Sequence, residues 1–183
     1  LIRSMNVHDS RFVVEGLARI SDGQAEQLRN VEVKTGDILL NITGASVARS
    51  CVVPDSVLPA RVNQHVAIIR LDPDQAVPRF VNAYLVSPHG KARLLGLAAA
   101  GATREALTKS MLQQFEIRLP PVSVQHRVNE VLSALDELIE NNERRVELLA
   151  RIESVAQSVG IGVVPVDELD GMGLGAANRI AME

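Results

Sequence analysis

The chain has 183 residues, 46% of them hydrophobic, a net charge of −3 and one cysteine. That is material for one domain with an appendage or two small domains, and it excludes an internal disulfide. No apolar run reaches the roughly eighteen residues of a membrane span, and no apolar stretch of a secretory leader follows Leu1-Ile2-Arg3-Ser4. An intracellular, cytoplasmic setting without membrane contact is the expectation. The chain starts at Leu1 rather than Met, as a cropped or processed chain would.

Charge is unevenly divided. Residues 1–122 carry 14 Lys+Arg against 11 Asp+Glu, while residues 123–183 carry 5 against 11. A mildly basic first part joined to an acidic second part points to a nucleic-acid partner for the former. The aromatic residues are Phe12, Phe80, Tyr84 and Phe115, too few for a platform that stacks single-stranded bases.

Residues 1–20 read as extended. Ser21 with Gln24 matches a capping box and predicts a short helix over about 22–29. Val31-Glu32-Val33-Lys34 alternates as a half-buried strand does. Gly36-Asp37 is a turn signal, and Ile38 to Ile42 is a short apolar run of the kind covered on both faces. Thr43-Gly44-Ala45-Ser46 makes a small, hydroxyl-rich tip. Arg49 follows on the return arm to Cys51-Val52-Val53, where Cys51 reads as a small core residue. The tip could hold a nucleic-acid backbone, because glycine admits close approach and Arg suits phosphate oxygens or a guanine edge. A plain hairpin turn with a surface arginine fits the same residues.

Val66 to Leu71 is the clearest strand. His65 beside it reads as a packed or hydrogen-bonded side chain rather than a metal ligand. Pro78 suits a helix first turn, with Phe80, Val81, Tyr84 and Leu85 on one face. Ser87-Pro88 interrupts that helix, and a second spans about 89–99. Gly101-Ala102-Thr103-Arg104 is a loop, Thr108 caps a short helix through Leu112, and Phe115, Ile117 and Leu119 alternate as a last strand before Pro120-Pro121.

From Ser123 to about Ile152 there is no Gly or Pro. Val128, Leu132, Leu135, Ile139, Asn142, Val146 and Leu149 recur at alternating spacings of 4 and 3, the seam of a coiled-coil helix, with a long helix lying on its own domain as the alternative. Asn142 stands on the seam, where a polar residue fixes register or partner number at a cost in stability. Residues 156–183 are rich in Gly and acidic residues and read as a linker or tail.

Catalytic signatures are missing. There is no phosphate loop and no dinucleotide-binding glycine fingerprint, so no cofactor is expected. His8, His65, His89 and His126 lack metal-ligand spacing, so no metal is expected either. Glu32-Val33-Lys34 resembles half of a nuclease motif, but Pro54-Asp55 and Pro73-Asp74 follow it instead of preceding it. The residues describe a binder; a divergent metal-dependent nuclease is the weaker alternative.

Six segments in order carry a family resemblance: Gly36-Asp37-Ile38-Leu39-Leu40; Thr43-Gly44-Ala45-Ser46…Arg49; Asn63-Gln64-His65-Val66-Ala67-Ile68-Ile69-Arg70; Tyr84-Leu85…Ser87-Pro88; Gly101-Ala102-Thr103…Leu107; and Phe115-Glu116-Ile117-Arg118-Leu119-Pro120-Pro121 with Gln125 and Leu132-Ser133-Ala134-Leu135-Asp136. Over about residues 1–152 the chain resembles the DNA-specificity subunits of type I restriction–modification systems, specifically one target-recognition domain and the long helix after it. The resemblance implies a mixed α/β (α+β) fold: a curved, mostly antiparallel sheet with short helices, then one long coiled-coil-forming helix. It implies a recognition domain over 1–122, a spacer helix over 123–154 and a tail over 155–183. It further implies a non-catalytic subunit that reads half of a split double-stranded DNA target and docks methyltransferase subunits and a restriction (motor) subunit. Such subunits usually hold two recognition domains and two helices. One of each here implies a fragment, or a half-subunit that pairs through its helix with a second copy or a second recognition domain. A truncated scaffold remnant that binds no DNA is the alternative. Many relatives also have Gly after the tip's Val, where this chain has Ala48.

By chemistry, the DNA-contacting candidates are Asn41, Thr43, Ser46 and Arg49 at the tip, then Arg61, Asn63 and Gln64, and finally Arg104 and Lys109 for phosphates. Asn63 and Gln64 lie close enough to a buried strand to be structural instead.

Overall fold

A computed structural model describes residues 1–100 and 106–158, with side chains to residue 155. The chain divides into two compact units, Leu1–Val131 and Leu132–Glu183.

The first unit is built around β4, Ile38–Asn41, every residue of which is buried. It pairs antiparallel with β5, Ser50–Val52, on one side and β7, Val66–Ile69, on the other. Two smaller antiparallel ribbons accompany this sheet: β1, Val7–His8, with β2, Arg11–Phe12, and β3, Glu32–Val33, with β6, Ala60–Arg61. The reason for the continuous apolar run is now visible. Ile38 and Leu40 pack with Val81, Leu85, Leu94 and Ala98, whereas Leu39 packs with Ile2, Val7, Val33 and Cys51. Alternate residues point to opposite faces, and both faces are covered, so each must be apolar.

The turn into β4 is held by charge. Asp37 is almost fully buried and accepts Arg70 Nε at 2.8 Å, Arg70 Nη2 at 2.7 Å and the Lys34 backbone N–H at 2.7 Å. Gly36 there has φ +80°, the left-handed conformation that favours glycine.

The helices follow their capping signals. In α1, Asp22–Gln27, Ser21 and Gln24 form both bonds of the capping box. The next helix, α2, Pro78–Val86, starts with its proline in the first turn and buries Val81 and Leu85. Ser87 ends α2 and caps α3, Pro88–Ala99, by accepting the Gly90 N–H at 3.1 Å. Thr108 caps α4, Lys109–Gln113. The loop expected over 101–104 lies outside the described residues, as does the tail expected over 155–183 from residue 159 on; its first residues, 155–158, continue the long helix instead.

One expectation fails. Residues 115–119 form no strand. Phe115 and Ile117 do pack on the core, which produces the alternation. The backbone finds other partners, however. Arg93 donates from Nη1 to the Glu116 carbonyl at 2.9 Å, and its guanidinium sits 4.4 Å from the Phe115 ring centre. An extended segment clamped by a side chain shows the same period of two as a paired strand.

The long helix α5 runs from Val122 to Ser158, slightly beyond the predicted span at both ends. Its first turns belong to the first unit. There the Gln125 side chain is fully buried, accepting the Val77 N–H at 2.9 Å and donating to the Gln75 and Pro120 carbonyls at 3.0 and 2.8 Å. In the second unit, the stretch from 132 to 158 amounts to about 40 Å of helix. Along it the seam residues Leu135, Ile139, Val146 and Leu149 are exposed, joined by Leu138, Leu148, Ile152 and Val155. The apolar stripe is therefore wider, and runs further, than the predicted seam.

Candidate nucleic-acid interface

The site grows out of the end of β4. The return arm is pinned at once: Asn41 N donates to the Arg49 carbonyl and Ala48 N to the Asn41 carbonyl, both at 2.9 Å. On the opposite side Ile42 N donates to the His65 carbonyl at 3.0 Å, and Leu107 N to the Ile42 carbonyl at 2.8 Å. A tight turn over Gly44–Ser46 then closes the tip, with Gly44 at φ +76°. Ala48 also has positive φ, +65°, although it carries a Cβ and is fully buried.

These constraints gather Thr43, Ser46 and Arg49 around one shallow depression, together with Ser4, Met5, Gly44, Ala45 and His65. Among the described residues, no carboxylate lines it. His65 joins through a bond of 2.7 Å between its Nδ1 and Thr43 Oγ1. Asn63 stands behind that histidine, its Oδ1 accepting the His65 N–H at 3.1 Å. Gln64 is exposed beside it.

Asn41 lies under the depression and not in it. It is fully buried, and its Nδ2 approaches the Ser4 carbonyl at 2.9 Å, Ser46 Oγ at 3.1 Å and the Val7 carbonyl at 3.3 Å. A side chain with no exposed surface reaches no duplex, so Asn41 braces the depression instead of contacting DNA. Arg61 is likewise committed inward. It donates to the Ala25 and Ala60 carbonyls at 3.2 and 3.0 Å and pairs with Glu32 at 3.0 Å. That last pair also occupies the carboxylate of the would-be nuclease half-motif. Lys109 is exposed at the start of α4 and lines a different groove, beside Arg70 and β7. Arg104 lies outside the described residues.

Ser4 and His65 were missed by the sequence candidates. Ser4 is 39 positions from Thr43 and His65 is 22, so only the fold brings them to the tip. The Asn63-Gln64-His65 turn before a strong strand was the one local hint. Cys51, the other chemically distinctive side chain, is buried, and burial pushes its thiol up to about 12. It is a packing residue, not a nucleophile.

Comparisons with known proteins agree with this architecture. Residues 8–151 match the family described as the type I restriction modification DNA specificity domain. The chain belongs to that family. It is 27% identical over 162 residues to the Type I restriction enzyme EcoBI specificity subunit of Escherichia coli, covering 87% of this chain and 33% of the relative. A solved chain from a study of complex assembly and conformational transition of the type I R-M system superposes with a TM-score of 0.52 at 20% identity. That match covers 69% of this chain and 33% of the solved one, and it supports the mixed α/β fold with a long helix. The chain thus spans about a third of the length of these relatives. Among the described residues, no helix is long and apolar enough to cross a membrane.

Proposed function

We propose that this chain is a non-catalytic DNA-reading module that recognises one half of a bipartite duplex target and presents its long helix to partner subunits. The observation that carries the reading is the match of residues 8–151 to a DNA specificity domain. The tip supports it physically. Arg49, Ser46 and Thr43 surround one depression with no carboxylate among its described lining residues, in the part of the chain where Lys and Arg outnumber Asp and Glu. Exposed Gln64 and Lys109 are further contacts, with Asn63 fixing the backbone between tip and strand.

Partner docking falls to α5. Its exposed stripe has the heptad spacing of a helix that packs on another helix, and Asn142 sets the register. The partner helix comes from a second copy of this chain or a second recognition domain. Methyltransferase and restriction subunits then assemble on the paired helices and supply the chemistry, and the setting is the cytoplasm.

The test is selection from a randomised duplex pool by the full chain, alone and with methyltransferase subunits. One half-site sequence should be enriched, and its affinity should fall linearly with salt on logarithmic axes. Indifference to both sequence and salt would overturn the reading in favour of a scaffold. Metal-dependent cleavage by the chain alone, lost in Glu32→Ala, would favour a nuclease.

A further inference from the structure

We propose that the depression walled by Ser4, Thr43, Ser46, Arg49 and His65 is the seat of one backbone phosphate of the bound duplex, with His65 a contacting residue. The inference rests on the DNA-reading function proposed above and assigns a chemistry to one part of that surface.

The donor set is the first argument. Among the described residues, the Arg49 guanidinium has no hydrogen-bond or ion-pair partner, so its donors are available to a ligand. The Ser46 Oγ accepts the Asn41 N–H at 3.1 Å, which leaves the hydroxyl hydrogen free to donate outward. Thr43 Oγ1 and His65 Nδ1 lie 2.7 Å apart, and in either direction of that bond the pair keeps one further donor: His65 Nε2–H when the hydroxyl donates, the Thr43 hydroxyl when Nδ1–H does. A guanidinium, the Ser46 hydroxyl and the donor of the Thr43–His65 pair around one concavity suit a tetrahedral oxyanion, which accepts from several directions. A base edge is planar and is usually read by one bidentate side chain.

The second argument is rigidity. The buried Asn41 ties the helical turn at Ser4–Asn6 and the Gly44–Ser46 turn together from behind, and the Thr43–His65 bond fixes the remaining wall. Asn41 holds this position although its Oδ1 is buried with no partner among the described residues. An uncompensated buried acceptor is unfavourable, and a preorganised site is where such a penalty is tolerated. Arg70, just after β7, is committed to Asp37 and cannot serve this way.

The experiment uses the full chain and the duplex recovered from the randomised pool, with affinities measured over a salt series for wild type, Arg49→Gln, Arg49→Lys and His65→Gln. Thermal unfolding confirms that each variant folds. Arg49→Gln should weaken binding about tenfold and reduce the logarithmic salt slope by about one, because one phosphate contact is lost. Arg49→Lys should restore the slope. His65→Gln should weaken binding a few-fold, and every variant should select the same sequence. If wild type binds selectively but Arg49→Gln and His65→Gln leave slope and affinity unchanged, the seat is overturned while the DNA-reading function stands. Relaxed selection at a single base pair with an unchanged slope would mean a base contact and would also overturn it. A wild-type chain that binds no duplex removes the reading and the seat together.

Discussion

Unit 1 and the exposed part of α5 use the same kinds of apolar residue in opposite ways. Leu39 and Leu40 at the centre of β4 are 0% exposed, while Leu135, Ile139 and Val146 on α5 are 49%, 54% and 66% exposed. The recognition unit satisfies its apolar residues internally, on two faces of one strand. The helix displays a continuous apolar stripe that its own unit does not cover. Burial in the first case supplies folding energy directly, whereas on the proposed function it is gained in the second only on association. One chain thus combines a unit with its own apolar core and a helix that leaves its apolar stripe exposed.

The largest test of that contrast is a matched pair of truncations. Leu40→Ala should lower the unfolding free energy of unit 1 by about 3 kcal/mol, from lost burial plus a cavity between β4 and α2. Leu135→Ala should change the stability of the unassociated chain by less than about 0.5 kcal/mol and instead weaken association. Denaturant titrations at low protein concentration, beside sedimentation at high concentration, separate the two effects. Equal costs at both positions would break the comparison.

Next in size is the charge under the β4 turn. Asp37→Asn keeps the shape but turns one oxygen of a carboxylate that accepts three N–H donors into an amide nitrogen that donates. Arg70 then loses its buried counter-charge, and one N–H faces another. A loss of about 2 kcal/mol is expected by denaturant titration. The bond to Asp37 also raises the Arg70 pKa.

Cys51 gives a pH-dependent test. Its thiol is raised by burial to about 12 from an ordinary value of 9.0. The raised folded value means full stability below about pH 9. Above it the unfolded thiol ionises while the folded one does not, and stability falls by about 1.4 kcal/mol per pH unit until about 12. Cys51→Ala should flatten that segment of the stability profile. At pH 8 the native thiol should resist alkylation, and mass spectrometry should find labelling only as unit 1 unfolds.

The sequence was legible wherever a signal is local. The Ser21 and Thr108 caps, the helix start at Pro78, the Ser87 break and the buried run at 38–42 all stand in the structure because each acts within one turn or one strand. The heptad spacing located α5 for the same reason. Legibility failed where a partner is distant. Alternation at 115–119 reported burial, but the Arg93 clamp that supplants strand pairing is more than twenty residues away. At the site, the tip Thr43–Arg49 was visible, yet Asn41 and Arg61 looked like contacts because polar residues near a tip usually are. Only the fold turns them inward and brings His65 and Ser4 alongside.

The smallest expected effect sharpens the same comparison at a single methyl group. Ala48 sits in the left-handed region at φ +65°, where a Cβ costs about 1–2 kcal/mol, in the interior of unit 1. Glycine there relieves that strain, but it forfeits about 0.8 kcal/mol of methyl burial and adds about 0.4–1 kcal/mol of freedom to the unfolded chain. The terms nearly cancel, so Ala48→Gly should shift the unfolding free energy by no more than about 0.5 kcal/mol. Ala150 is exposed within α5. The same substitution there has no strain to relieve, so it should lower helix stability by about 1 kcal/mol, read from helicity by circular dichroism. If Ala48→Gly costs as much as Ala150→Gly, the backbone at position 48 is not strained. The return arm of the tip would then be held by side-chain packing, not by the Ala48-to-Asn41 and Asn41-to-Arg49 backbone bonds.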